Sequence, residues 1–122
     1  MAKARQERIA KLTTNYPVPV TEELLQRITQ RIVEQFQPEA VILFGSYAWG
    51  RPHQHSDVDL LVIMDSDEPQ VKREVRVLQA CRVPFLPLDI MVRTRKEIEE
   101  RMRIGDFFIR RILKKGKVLY GH

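Results

Sequence analysis

Asp57 and Asp59 stand two residues apart at the head of an apolar run, Leu60 to Met64. That composition predicts a strand over 57–64, central in a sheet and covered on both faces. On a strand, residues i and i+2 leave the same face. Their Cα atoms then lie roughly 6.5 Å apart, from about 3.3 Å of rise per residue. Two carboxylates so placed can bridge cations about 3.5–4 Å from each other. Magnesium favours such oxygen ligands and leaves positions open for phosphate and water. Asp89 is the one acid in a second apolar run, Leu88 to Val92, and a lone buried carboxylate is costly unless paired or metal-bound. If the two runs are neighbouring strands, Asp89 completes a cluster of three. Each part is weak alone: Asp-x-Asp at a strand's beginning often serves turn chemistry, and Asp89 on an edge strand could face solvent.

Gly45-Ser46 supplies the other half of the pattern. It directly follows the apolar run Ala40 to Phe44, and Tyr47-Ala48 could open a helical turn. Small residues there let backbone N–H groups approach phosphate oxygens, and the Ser46 hydroxyl adds a donor. Arg51, in the polar stretch that follows, is placed to meet a triphosphate. His53 and His55 could touch phosphate or metal, but loop histidines are commonly just solvated. Tyr47 and Trp49 fit packing of the turn better than stacking on a base.

The elements that must hold these residues follow from periodicity. Residues 1–20 read as a basic lead-in and 21–122 as the folded domain. Thr21 is an N-cap for a helix with Leu24, Leu25, Ile28, Ile32 and Phe36 on one stripe, closed by Pro38. Ala40 to Phe44 predicts a buried strand, and a helix placing Val71, Val75 and Leu78 at helical spacing follows the Asp57 strand. After the loop at Pro84 and Pro87 comes the Asp89 strand. Thr94 and Glu97 have capping-box spacing for the next helix, which breaks near Gly105. Asp106 can cap a last helix with Phe107, Phe108, Ile109, Ile112 and Leu113, stopped by Gly116. The two phenylalanines suit a core or a partner interface. Lys117 to Tyr120 reads as a short terminal strand. The order predicts a small α/β (α+β) domain, a mixed sheet with flanking helices.

Composition narrows the partners. The chain has 122 residues with 43% hydrophobic and 30% charged, the balance of a soluble domain long enough to bury a core without disulfides. No apolar stretch approaches the roughly 20 residues that span a bilayer, and the N-terminus lacks a secretory apolar core, so no membrane partner and a cytoplasmic location are expected. Cys81 is the single cysteine, which excludes an internal disulfide and suits a small packing residue. The net charge is +5, and residues 93–117 hold ten Lys or Arg against four acids. Such a bias suits an anionic partner, nucleotide, nucleic acid or acidic protein face, although a solvated helix surface gives the same pattern. Nucleic acid is compatible but not required.

Gly45-Ser46, ten intervening residues, Asp57-Val58-Asp59 and the later Asp89 together resemble the signature of the DNA polymerase β nucleotidyltransferase superfamily. The string Leu43-Phe44-Gly45-Ser46-Tyr47-Ala48-Trp49-Gly50 with Ser56-Asp57-Val58-Asp59-Leu60-Leu61-Val62 is similar to its minimal nucleotidyltransferase branch, as are Ile104-Gly105-Asp106 and Gly116-Lys117-Val118-Leu119-Tyr120. The resemblance covers residues 21–120. It implies that Gly45 and Ser46 grip a triphosphate, that Asp57 and Asp59 coordinate two magnesium ions, and that Asp89 holds the catalytic one and helps activate the acceptor hydroxyl. It implies ATP as donor, AMP transfer to a protein or small-molecule hydroxyl, and a small helical partner of the HEPN family, in some pairs as antitoxin to toxin. The larger members' second domain is absent, so polymer synthesis is not expected. The competing expectation is a non-catalytic nucleotide-binding or antitoxin module acting by direct contact. Asp57→Ala/Asp59→Ala separates the two: protection retained means contact, protection lost with the complex intact means chemistry.

Overall fold

The computed structural model describes residues 18–50, 52 and 56–121. Helix α1 (Glu22–Phe36) leads into strand β1 (Ala40–Phe44), the short helix α2 (Ser46–Trp49) and strand β2 (Val58–Ile63). Helix α3 (Gln70–Cys81), strand β3 (Leu88–Arg93), helices α4 (Arg95–Arg103) and α5 (Phe107–Lys115), and strand β4 (Lys117–Gly121) follow. The sheet order is β3-β2-β1-β4. β1 runs antiparallel to both β2 and β4, while β2 and β3 are parallel, because α3 carries the chain back across the sheet between them. The result is a mixed α/β domain with helices on both faces of the sheet, as expected.

Local chemistry explains the boundaries. The Thr21 hydroxyl accepts from Leu24 N at 3.1 Å, and Gln37 closes α1 in the left-handed region. Thr94 and Glu97 form the full capping box of α4. One Asp106 oxygen accepts from the Phe108 and Ile109 N–H groups to start α5.

Alternation sorts the sheet residues into two cores. Val41, Leu43, Val58, Leu60, Val62, Ile90 and Val92 face α1 and α3. Ala40, Ile42, Phe44, Leu61 and Ile63 face α4 and α5 through Ile98, Ile109 and Ile112. Val58, Leu60, Leu61 and Val62 are fully buried, each contributing on the order of 1.5–3 kcal/mol. β2 is therefore anchored from both sides, and its first turn-facing carboxylate rides on a fixed strand.

One expectation needs correction and another is narrowed. In α3, Val71 is 73% exposed and Val75 is exposed too; the buried stripe is Arg73, Val77 and Cys81. Arg73 can lie inside because its guanidinium donates to Glu97 Oε1 and to the Glu68 carbonyl, both at 2.6 Å, which satisfies the buried charge. Phe107 and Phe108 are not core: they are 81% and 49% exposed, because Ile109 and Ile112 already fill the space under α5. The helical turn expected to open at Tyr47-Ala48 is present, since Tyr47 to Trp49 continue α2. Cys81 is a buried packing residue, as expected, and burial pushes its thiol up to about 11.

Candidate active site

β1 ends against the first residues of β2, with Phe44 opposite Asp59. The chain leaves β1 through Gly45, at φ 76° and ψ −157°, a backbone region open essentially to glycine alone. The side-chain position that Gly45 leaves empty is taken by Asp59: a Cβ built there would lie 2.1 Å from Asp59 Oδ2. The Gly-Ser turn and the second aspartate thus share one small volume. From Gly45, α2 turns at once, with Ala48 N and Trp49 N both donating to the Gly45 carbonyl.

The parallel register of β2 and β3 sets Asp59 directly beside Asp89. Neighbouring strands lie about 4.8 Å apart, and residues in register present their side chains to the same face. That face is the one covered further along by α4 and α5, since Leu61 and Ile63 of β2 pack there. Asp57 precedes β2 by one residue and is exposed, so the strand predicted over 57–64 begins at Val58. Asp89 is exposed as well, the edge-strand alternative, since β3 is an edge strand; Asp59 is half-buried. The edge strand is held by α3: Glu74 Oε2 accepts from Val92 N at 3.0 Å and from Arg93 Nη1 at 2.7 Å.

The three carboxylates feel one another. Burial, then the charges of Asp89 and Asp57, push the Asp59 carboxyl up to about 6. A site in which like charges press on one acid suits a hard divalent cation, and an all-carboxylate donor set has the chemistry magnesium selects. The three side chains do not themselves close into a cage: among the described residues no group of three or more His, Cys, Asp or Glu converges on a metal-holding geometry. Asp57, Asp59 and Asp89 could hold a cation only by drawing closer together around Asp59.

Around this set, Trp49 packs against the same core as Phe44, their ring centroids 6.3 Å apart. Tyr47 packs against the opposite core. Both therefore serve the packing of the turn. Beyond Asp89 on the same strand face, Met91 and Arg93 help line a cavity of about 580 Å³ with Lys96, Glu97, Phe108 and Ile109. It has room for a nucleoside or an acceptor group. Arg51, His53 and His55 lie outside the described residues. Arg73 and Arg111 were not singled out by sequence reasoning. Arg73's signal was its spacing with Val77 and Cys81 on the stripe that proved to be buried.

The sequence model of the nucleotidyltransferase domain matches residues 25–119. The chain belongs to the nucleotidyltransferase domain family. A relative from Methanocaldococcus jannaschii, named a "putative protein adenylyltransferase", is 34% identical over 82 residues, 66% of this chain and 76% of that protein. A crystal structure of a "putative nucleotidyltransferase" from Sulfolobus solfataricus superposes with a TM-score of 0.59 at 21% identity, covering 83% of this chain and 80% of that one. That likeness supports the nucleotidyltransferase fold. Among the described residues no helix is long and apolar enough to cross a membrane.

Proposed function

We propose that this nucleotidyltransferase domain transfers AMP from ATP, with magnesium, to a hydroxyl of a protein or small molecule. The observation that carries the reading is the register that sets Asp59 beside Asp89 with Gly45 against Asp59. Asp57, Asp59 and Asp89 would hold the metal, which when bound offsets the charge of the departing pyrophosphate and of the acceptor oxygen. The acceptor oxygen bonds to the α-phosphorus, the bond from that phosphorus to the β-phosphate bridging oxygen breaks, and pyrophosphate leaves. Gly45 and Ser46 hold the phosphate chain through backbone N–H groups and the Ser46 hydroxyl. Asp89, exposed at the sheet edge, accepts a hydrogen bond from the approaching hydroxyl and takes its proton as the new bond to phosphorus forms. The catalytic contribution is positioning and electrostatics, with no covalent enzyme intermediate.

Protein adenylylation is favoured among the acceptors by the name of the Methanocaldococcus relative. The resemblance to minimal nucleotidyltransferases adds a small helical HEPN-family protein as the acceptor and partner, in an antitoxin–toxin pair. The test is incubation with magnesium and ATP labelled at the α- or the γ-phosphate, together with the product of the adjacent reading frame. Label entering a protein from α-labelled but not γ-labelled ATP supports adenylyl transfer. Entry from γ-labelled ATP means phosphoryl transfer, and no entry from either in folded protein counts against the reading.

A further inference from the structure

Arg111 of α5 places its guanidinium carbon 4.7 Å from the centroid of the Trp49 ring. Trp49 ends the four-residue helix that opens at Ser46, so its Cα lies only about 4.5 Å along the helix axis from that of Ser46. The indole is itself fixed, because it packs on Phe44, and Phe44 meets Phe108 of α5 edge-on at 5.6 Å. Arg111 is thereby held beside the Gly-Ser turn, on the sheet face that carries Asp59.

Its charge is not spoken for. Other arginines of the two C-terminal helices have carboxylates: Arg95 pairs with Glu39, Arg101 with Asp106 and Arg103 with Glu100. Among the described residues Arg111 has the indole face and no acid. Arg110 also lies over a ring, that of Phe107 at 5.9 Å, but Phe107 is 81% exposed. A guanidinium held over an aromatic face leaves N–H donors of its planar fork free to match phosphate. Three carboxylates and a triphosphate together outweigh the charge of two divalent cations. A protein cation on this side of the turn would offset the remainder.

We infer that Arg111, oriented by Trp49, grips the phosphate chain of the incoming nucleotide beside the Gly-Ser turn. This rests on the nucleotidyltransferase reading above and names a binding residue for that site. Trp49 is a positioning residue, acting through Arg111.

Inorganic tripolyphosphate with magnesium tests this without an acceptor, by calorimetric titration into the full chain. Arg111→Ala should weaken binding about ten- to a hundred-fold, the size of a charge-assisted phosphate pair. Arg111→Lys should recover part of the loss, as a point charge without the fork. Arg95→Ala, at the far end of the sheet beside Glu39, should bind like wild type and so exclude a general charge effect. Trp49 is the single tryptophan, which gives an independent readout: tripolyphosphate should change its emission in wild type and not in Arg111→Ala. Melting curves keep folding apart from binding, and Arg111→Gln replaces Arg111→Ala if the latter melts early. Wild type that binds tripolyphosphate no more tightly than Arg111→Ala overturns the assignment of Arg111 alone. Wild type that binds neither tripolyphosphate nor ATP overturns the nucleotide reading and this assignment together.

Discussion

Replacing Gly45 by alanine probes the contact on which the site is built. Two costs add. At φ 76° and ψ −157°, a side chain incurs about 1–3 kcal/mol of backbone strain. The new Cβ would also fall 2.1 Å from Asp59 Oδ2, so the carboxylate must swing away, at about 0.5–1.5 kcal/mol if it leaves its rotamer. The sum is about 2–4 kcal/mol, or a fall in melting temperature of about 6–20 °C for a domain of this size. Displacing Asp59 by an ångström should also lower transfer by about a hundred-fold. Differential scanning calorimetry on Gly45→Ala, Asp59→Ala and the double variant separates the terms. Removing the carboxylate removes the clash and leaves the backbone strain, so the double variant should be about 1 kcal/mol more stable than the sum of the singles. A Gly45→Ala protein melting within about 2 °C of wild type, or strict additivity in the cycle, would refute the reasoning.

Asp59 itself should be a stability liability in chelator-treated protein. Its folded-state carboxyl sits at about 6 against about 3.9 unfolded. The associated stability is therefore present below pH 4 and lost as pH rises through 6. Asp59→Asn should gain about 1 kcal/mol at pH 8 after allowance for solvent screening, and little at pH 4; a melting series over pH checks this. Glu97 works in the opposite sense. Burial would raise its carboxyl, but the Arg73 and Thr94 hydrogen bonds and the Arg73 charge outweigh that and hold it at about 2. Its contribution, about 1–2 kcal/mol once screened, is present above pH 4.3 and lost as pH falls towards 2, so Glu97→Gln should narrow its gap to wild type below pH 3. Arg73→Ala should cost about 1–3 kcal/mol, because it removes the buried guanidinium's hydrogen bonds to the partly exposed Glu97 and to the Glu68 carbonyl, with urea denaturation as the measure. Cys81, fully buried and with a raised thiol, should react with a disulfide reagent only as fast as the chain opens; prompt modification of native protein would show the site is accessible.

Much of this architecture was legible because its signals are local. The Thr21 cap, the Thr94–Glu97 box, the Asp106 cap and the uniformly apolar Ala40–Phe44 run each act within a few residues, and each appears where periodicity put it. The inward face of α3 was not legible, because a stripe is sought among apolar residues and Arg73 heads the buried one. Its burial depends on Glu97, which belongs to another helix. The exposure of Asp89 was one of two open readings, and strand order decides it by making β3 an edge. For the candidate site, residue types and spacing supplied Gly45, Asp57, Asp59 and Asp89. What they could not supply was the register that sets Asp59 beside Asp89, or the stacking of Arg111 on Trp49, because both depend on segments distant in sequence.

The claim at the centre is that a divalent cation draws Asp57, Asp59 and Asp89 together beside the Gly45 turn. A crystal grown with manganese and an ATP analogue carrying a non-cleavable α,β linkage would test it through the anomalous scattering of the metal. The account predicts metal peaks within about 2.3 Å of oxygens from Asp57 and Asp59, Asp89 turned in towards them, and the triphosphate against Gly45 and Ser46. Metal and triphosphate bound elsewhere, with Asp89 left facing solvent, would contradict it.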